Sequence, residues 1–148
     1  MERSTTQKLK KIQERALKIV YNDFNSDYQE LLTRFGTTTM LRSRHICILL
    51  EVFKSKKEIN PSYVKKLLSD KEIPYSLRDP SLLIQPLTNT TNFGLRSFAY
   101  LGSKLWNDLD NEIKIEIENL EDITLSKFKS LLRKWSSPKD PTTLDFYV

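Results

Sequence analysis

Thr39-Met40-Leu41-Arg42-Ser43-Arg44-His45-Ile46-Cys47-Ile48-Leu49-Leu50-Glu51-Val52-Phe53-Lys54-Ser55-Lys56-Lys57 decides the fold. The stretch holds no proline or glycine. Leu41, Ile48, Leu49, Val52 and Phe53 recur at helical spacing and make a wide apolar stripe. A helix with so broad a stripe needs partners on several sides, so residues 39–57 are expected to form the central helix. Its ends are basic, at Arg42 and Arg44 and again at Lys54, Lys56 and Lys57.

Working outward toward the N-terminus, Ser26-Asp27-Tyr28-Gln29 has the spacing of a capping box. It opens a short helix with Tyr28, Leu31, Leu32 and Phe35 on its buried side, stopped by Gly36. Residues 5–20 read as an amphipathic helix with Leu9, Ile12, Ala16, Ile19 and Val20 on one side. Ser4, Thr5 or Thr6 would cap it. Lys8, Lys11, Arg15 and Lys18 recur at three and four residues and form a basic stripe beside that apolar side.

Toward the C-terminus, Asn60-Pro61 predicts a fourth helix, with asparagine as cap and Tyr63, Val64, Leu67 and Leu68 inward. Residues 70–96 change character. Pro74, Pro80 and Pro86, followed by Thr88-Asn89-Thr90-Thr91-Asn92, exclude helix there. An extended loop, or a short hairpin pairing Ser81–Gln85 with Phe93–Phe98, is expected. Ser97 to Leu109 turns helical, with Leu101, Leu105, Trp106 and Leu109 apolar. In residues 111–118 alternating isoleucines leave a short strand and a short helix both open. Thr124 caps a last helix with Leu125, Phe128, Leu131, Leu132 and Trp135 on one face. The expectation is a mostly α single domain of five to six helices over residues 5–136, with 137–148 a loose tail.

The 148 residues carry 24 lysines and arginines against 19 acids, a formal net charge of +5. The distribution says more than the total. Residues 7–20 hold five cations against Glu14, a net +4, and residues 125–135 hold Lys127, Lys129, Arg133 and Lys134 against no acid, again +4. Residues 108–122 hold seven acids against Lys114, a net −6. Cys47 is the single cysteine, so no internal disulfide forms, which fits a reducing, intracellular compartment in the nucleus or cytoplasm. No stretch approaches the roughly 18 apolar residues of a membrane span, and the N-terminus lacks the apolar run of a secretory signal. No membrane partner is expected.

Three stretches resemble one family. They are Lys8-Leu9-Lys10-Lys11-Ile12-Gln13-Glu14-Arg15-Ala16-Leu17-Lys18-Ile19-Val20-Tyr21, then Tyr75-Ser76-Leu77-Arg78-Asp79, then Thr91-Asn92-Phe93-Gly94-Leu95-Arg96-Ser97-Phe98-Ala99-Tyr100-Leu101-Gly102-Ser103-Lys104-Leu105-Trp106-Asn107. In that order they are similar to the segment behind the polymerase core in reverse transcriptases of non-LTR (LINE-type, jockey-like) retrotransposons. The likeness runs over roughly residues 7–135. It departs at Asp110, where the family usually has proline, and in the tail, which has no cysteine or histidine for a zinc knuckle. The resemblance implies an accessory region of an RNA-directed DNA polymerase that helps grip template RNA or target DNA. Its catalytic residues would then belong to a segment preceding Met1. The alternatives are a structural packing module, an inactive relic of a decayed element, or a host-adopted helical binding module.

No catalytic, cofactor or metal site is expected in these residues. The Tyr-x-Asp-Asp motif that holds polymerase metals is absent, and Asp108-Leu109-Asp110 reads as part of a solvated acidic run. His45 and Cys47 stand about 200° apart on a helix and cannot share a metal; His45 reads as an ordinary half-buried residue and Cys47 as a small core residue. The nucleic-acid candidates are Lys8, Lys11, Arg15 and Lys18, which would neutralise phosphates, and Arg78 and Arg96, which would bind phosphate or anchor the long loop. Phe93, Phe98, Tyr100 and Trp106 read as packing residues before base-stacking ones. RNA or DNA, and the parent polymerase core, are the expected partners.

Overall fold

The computed structural model describes residues 5–70, 82–90, 94–117 and 123–135. Seven helices stand among them: α1 (Thr5–Tyr21), α2 (Tyr28–Arg34), α3 (Met40–Lys56), α4 (Ser62–Lys65), α5 (Phe98–Asn107), α6 (Asn111–Ile117) and α7 (Leu125–Lys134). The chain is mostly α, as expected, with one more helix than the largest number anticipated. Arg78, its motif Tyr75–Asp79, Phe93 and the tail 137–148 lie outside the described residues.

Helix α3 is central because its wide stripe meets partners on two sides, α5 and α7. Leu49, Val52 and Phe53 are fully buried there. Each withdraws enough apolar surface to contribute about 2–3 kcal/mol. The Phe53 ring stacks on Phe128 of α7 at 4.3 Å between centroids, and Trp106 of α5 closes on Phe128 at 6.1 Å. Gly102 lets α5 approach: a β-carbon there would meet Val52 Cγ2 at 3.0 Å. Thr39 starts α3 by accepting from Arg42 N, Ser97 starts α5 by accepting from Tyr100 N, and Thr124 starts α7 by accepting from Lys127 N. Each hydroxyl satisfies one of the first-turn N–H groups that a helix leaves unpaired.

Three helices end alike. Asn22, Gly36 and Glu58 take φ of 51°, 59° and 57°. Behind them Asp23 N reaches Lys18 O, Thr37 N reaches Leu32 O and Ile59 N reaches Lys54 O. These are Schellman closures, which need one residue in the left-handed region. Gly36 and Asn22 are residue types that visit this region readily, whereas Glu58 carries a Cβ penalty there and gives no sign of its closure in the sequence.

Several expectations need correction. The cap of α2 is Asp27, one residue later than expected, and Glu30 completes the box by accepting from Asp27 N at 3.1 Å. Ser26 instead donates its hydroxyl to Asp23 at 2.8 Å. Helix α4 is a single turn capped at Pro61, with Tyr63 and Leu67 exposed. Asn60 does not cap it; its Nδ2 turns back onto α3, donating to Glu51 O and Ser55 Oγ. Residues 111–117 are helix, since Ile113 and Ile117, four apart, are buried while Ile115 faces out. Cys47 is exposed and His45 buried, the reverse of a core cysteine and a half-buried histidine.

Of the two forms expected for residues 70–96, an extended loop or a short hairpin, the described residues follow the loop; 71–81 and 91–93 lie outside them. Among the described residues the bridge pairs Leu83 with Asp70, not with Phe93–Phe98, and Leu95–Ser97 form a turn into α5. Leu83 is buried, and Asn107 at the end of α5 holds its backbone from both sides. Asn107 Oδ1 accepts from Leu83 N and Nδ2 donates to Leu83 O, both at 2.9 Å. One amide side chain thus stands in for a neighbouring strand. Replacing Asn107 with leucine is expected to strand both backbone groups and cost about 1–3 kcal/mol, read as a lowered urea midpoint with unchanged m. A midpoint within error of the wild type would refute that role.

Candidate nucleic-acid interface

Helix α1 is attached by one flank. Gln13 is its polar clamp: Oε1 accepts from Tyr28 Oη at 2.8 Å and from Met40 N at 3.0 Å, and Nε2 donates to Thr38 O at 2.9 Å. Tyr21 stacks on Phe35 with centroids 3.4 Å apart, and Lys10 Nζ lies 5.1 Å from the Tyr28 ring. Burial raises the Tyr28 hydroxyl above the usual phenol range, with the nearby Glu14 charge adding to it. Tyr28 therefore remains a donor to Gln13 at any physiological pH.

This attachment turns the basic stripe outward. Lys8, Lys11 and Arg15 are exposed on successive turns, about 4.5–6 Å apart along the helix axis. Lys18 differs: it is half-buried and paired with Glu14 at 2.9 Å, so its charge is largely neutralised. Arg96 is exposed in the turn before α5. Of the six candidates, Lys8, Lys11 and Arg15 are thus exposed together on one helix face, and Arg78 lies outside the described residues.

The tertiary structure adds a second basic element. Arg42, in the first turn of α3, sends Nη2 to Arg133 O at 3.1 Å and to Trp135 O at 2.6 Å. It caps the carbonyl end of α7, where the helix dipole and unpaired carbonyls favour a cation. Gln13 fixes α1 to residues 38 and 40, and Arg42 fixes α7 two residues later. The two cation-rich segments, far apart in sequence, converge on the N-terminal end of α3. Arg44, Arg133 and Lys134 are exposed at that end and join Lys8, Lys11 and Arg15 as candidates. The equal charge of the two segments was visible in the sequence; their convergence rests on side-chain bonds that no periodicity encodes.

The remaining chemistry-bearing groups have structural positions. Asp108 is the C-cap of α5, and the Asp110 carbonyl accepts from Lys114 N in the first turn of α6. Among the described residues no three histidine, cysteine or acidic side chains gather as a metal-holding group. None of the described helices is long and apolar enough to cross a membrane. No family model, curated protein or solved structure matches the chain.

Proposed function

We propose that this chain is a non-catalytic accessory domain that grips nucleic acid through the α1 stripe and the end of α7, in the manner of the region behind a retrotransposon RNA-directed DNA polymerase core. The observation that carries the reading is the meeting of two acid-poor, cation-rich segments at one end of α3. A cation set of this kind neutralises phosphates and releases their counterions without reading sequence. The family part of the proposal rests on the three motifs, of which the third is the longest.

A salt titration tests it. Single-stranded RNA is expected to bind weakly, with a log–log salt slope near −2 for about three phosphate contacts. Changing Lys8, Lys11 and Arg15 together to glutamate should flatten most of that slope and weaken binding by about tenfold or more. Changing Arg133 and Lys134 should weaken binding as well, since both segments belong to one interface. Absence of binding to single-stranded RNA and duplex DNA at low salt would overturn the proposal.

One observation favours a second reading, a purely structural module. Four residues of the third motif are spent inside the fold: Ser97 as cap, Gly102 against Val52, Trp106 in the core and Asn107 on Leu83. That reading expects the same null titration together with a normal melting transition.

A further inference from the structure

The apolar side of α1 is not covered. Because Gln13 and Tyr21 hold the helix by its flank, Ile12 and Ile19 are each 62% exposed, and Leu9, Ala16 and Val20 lie beside them in solvent. Ile12, Arg15, Ala16 and Ile19 stand at positions i, i+3, i+4 and i+7. That is the four-residue hole into which a facing helix inserts a knob, with the small Ala16 leaving room at its floor. Lys8, Lys11 and Arg15 border the hole on one side. Its occupant therefore needs an apolar knob with carboxylates beside it.

This chain carries such a knob. Ile115 on α6 is 65% exposed, because Ile113 and Ile117 take the inward positions. Glu112, three residues before it, stands beside it, and Glu116 stands one position on; both are exposed. Both glutamates lie on the same side of Ile115 around the α6 axis, at about 60° and about 100°. Glu116 meets Lys127 at 3.7 Å, a loose pair open to exchange. Within one copy the hole and the knob stay apart, since both remain exposed.

We infer that the exposed face of α1 is a self-association surface, filled by α6 of a second copy of this chain. Ile115 enters the hole between Ile12 and Ile19, and Glu112 and Glu116 face Lys8, Lys11 and Arg15. Two reciprocal contacts of this kind close a two-fold dimer. Each patch is small against the roughly 800 Å² per partner of a stable interface, so association is weak, on the order of 10–100 µM. Its charged border makes it weaken as salt rises.

Sedimentation equilibrium of the full chain without nucleic acid is the test, so its outcome does not depend on the binding proposed above. The expected result is a mass rising from monomer toward dimer across that concentration range. Ile115→Ser should weaken association by about a hundredfold, consistent with losing a buried side chain from each of the two reciprocal contacts. Lys11→Glu with Arg15→Glu should do the same, and adding Glu112→Lys with Glu116→Lys should restore it. All these positions are exposed, and a thermal melt confirms that each variant folds. A wild-type chain monomeric at every concentration overturns the inference, as does a charge swap that fails to rescue. So does a monomer that instead floats with phosphatidylserine vesicles, which would make the face a lipid surface.

Discussion

Trp106→Ala is expected to lower stability by about 3–5 kcal/mol, the range for an aromatic side chain removed from a packed core. Trp106 is 2% exposed and fills the junction of α3, α5 and α7. Its ring meets Phe128 at 6.1 Å, and Lys56 Nζ lies 5.6 Å from its centre. Phe128 in turn stacks on Phe53, so the cavity left by alanine would loosen the contact that holds α7 to α3. A domain of this size has about 5–15 kcal/mol of stability in all, so the variant should sit close to its unfolding threshold at 37 °C. Urea unfolding followed by Trp135 fluorescence measures the loss. A change under 1 kcal/mol would mean that Trp106 does not organise the core.

The second large effect is a loss of stability on mild acidification. His45 is buried on α3, and burial pulls its imidazole down to about 4, with the neighbouring Arg44 charge adding to the shift. In the unfolded chain the same group titrates near 6.5, so between these values the unfolded state binds the proton and the folded state refuses it. Folded stability is complete above about pH 6.5, falls as pH drops, and levels off below about 4. The gap between the two titrations corresponds to about 3 kcal/mol. His45→Phe should flatten the curve through this window. Asp23 and Glu58 add losses at lower pH: both are held below the usual carboxylate range, Asp23 first by the Ser26 hydroxyl and Glu58 first by Lys65. A wild-type profile flat from pH 7 to 4.5, or an unchanged slope in His45→Phe, would refute the assignment.

The two effects show how unevenly the sequence discloses the fold. Residues 39–57 were readable because a wide stripe without breakers has one outcome, a helix wrapped by neighbours. The helix closed by Glu58 had no visible stop residue, since its closure uses a residue that adopts the left-handed region under compulsion from the bonds around it. Alternation in residues 111–117 left strand and helix open until Leu109, Ile113 and Ile117 met the core on one side. For His45 and Cys47 helical spacing set only the angle between them. Which of the two faces inward depended on where α3 met its partners, and that put the histidine inside.

The candidate interface divides along the same line. The sequence by itself determined that the chain is mostly helical, that residues 39–57 are central, and that Lys8, Lys11 and Arg15 share a face, because helical geometry fixes which residues lie together. Tertiary structure alone decided what each face meets. Gln13 anchors α1 by its flank and leaves its apolar side in solvent, Glu14 neutralises Lys18, and Arg42 brings the end of α7 to the same end of α3. Periodicity specifies a direction around a helix axis; the partner in that direction comes from bonds between residues dozens of positions apart, which a local pattern does not contain.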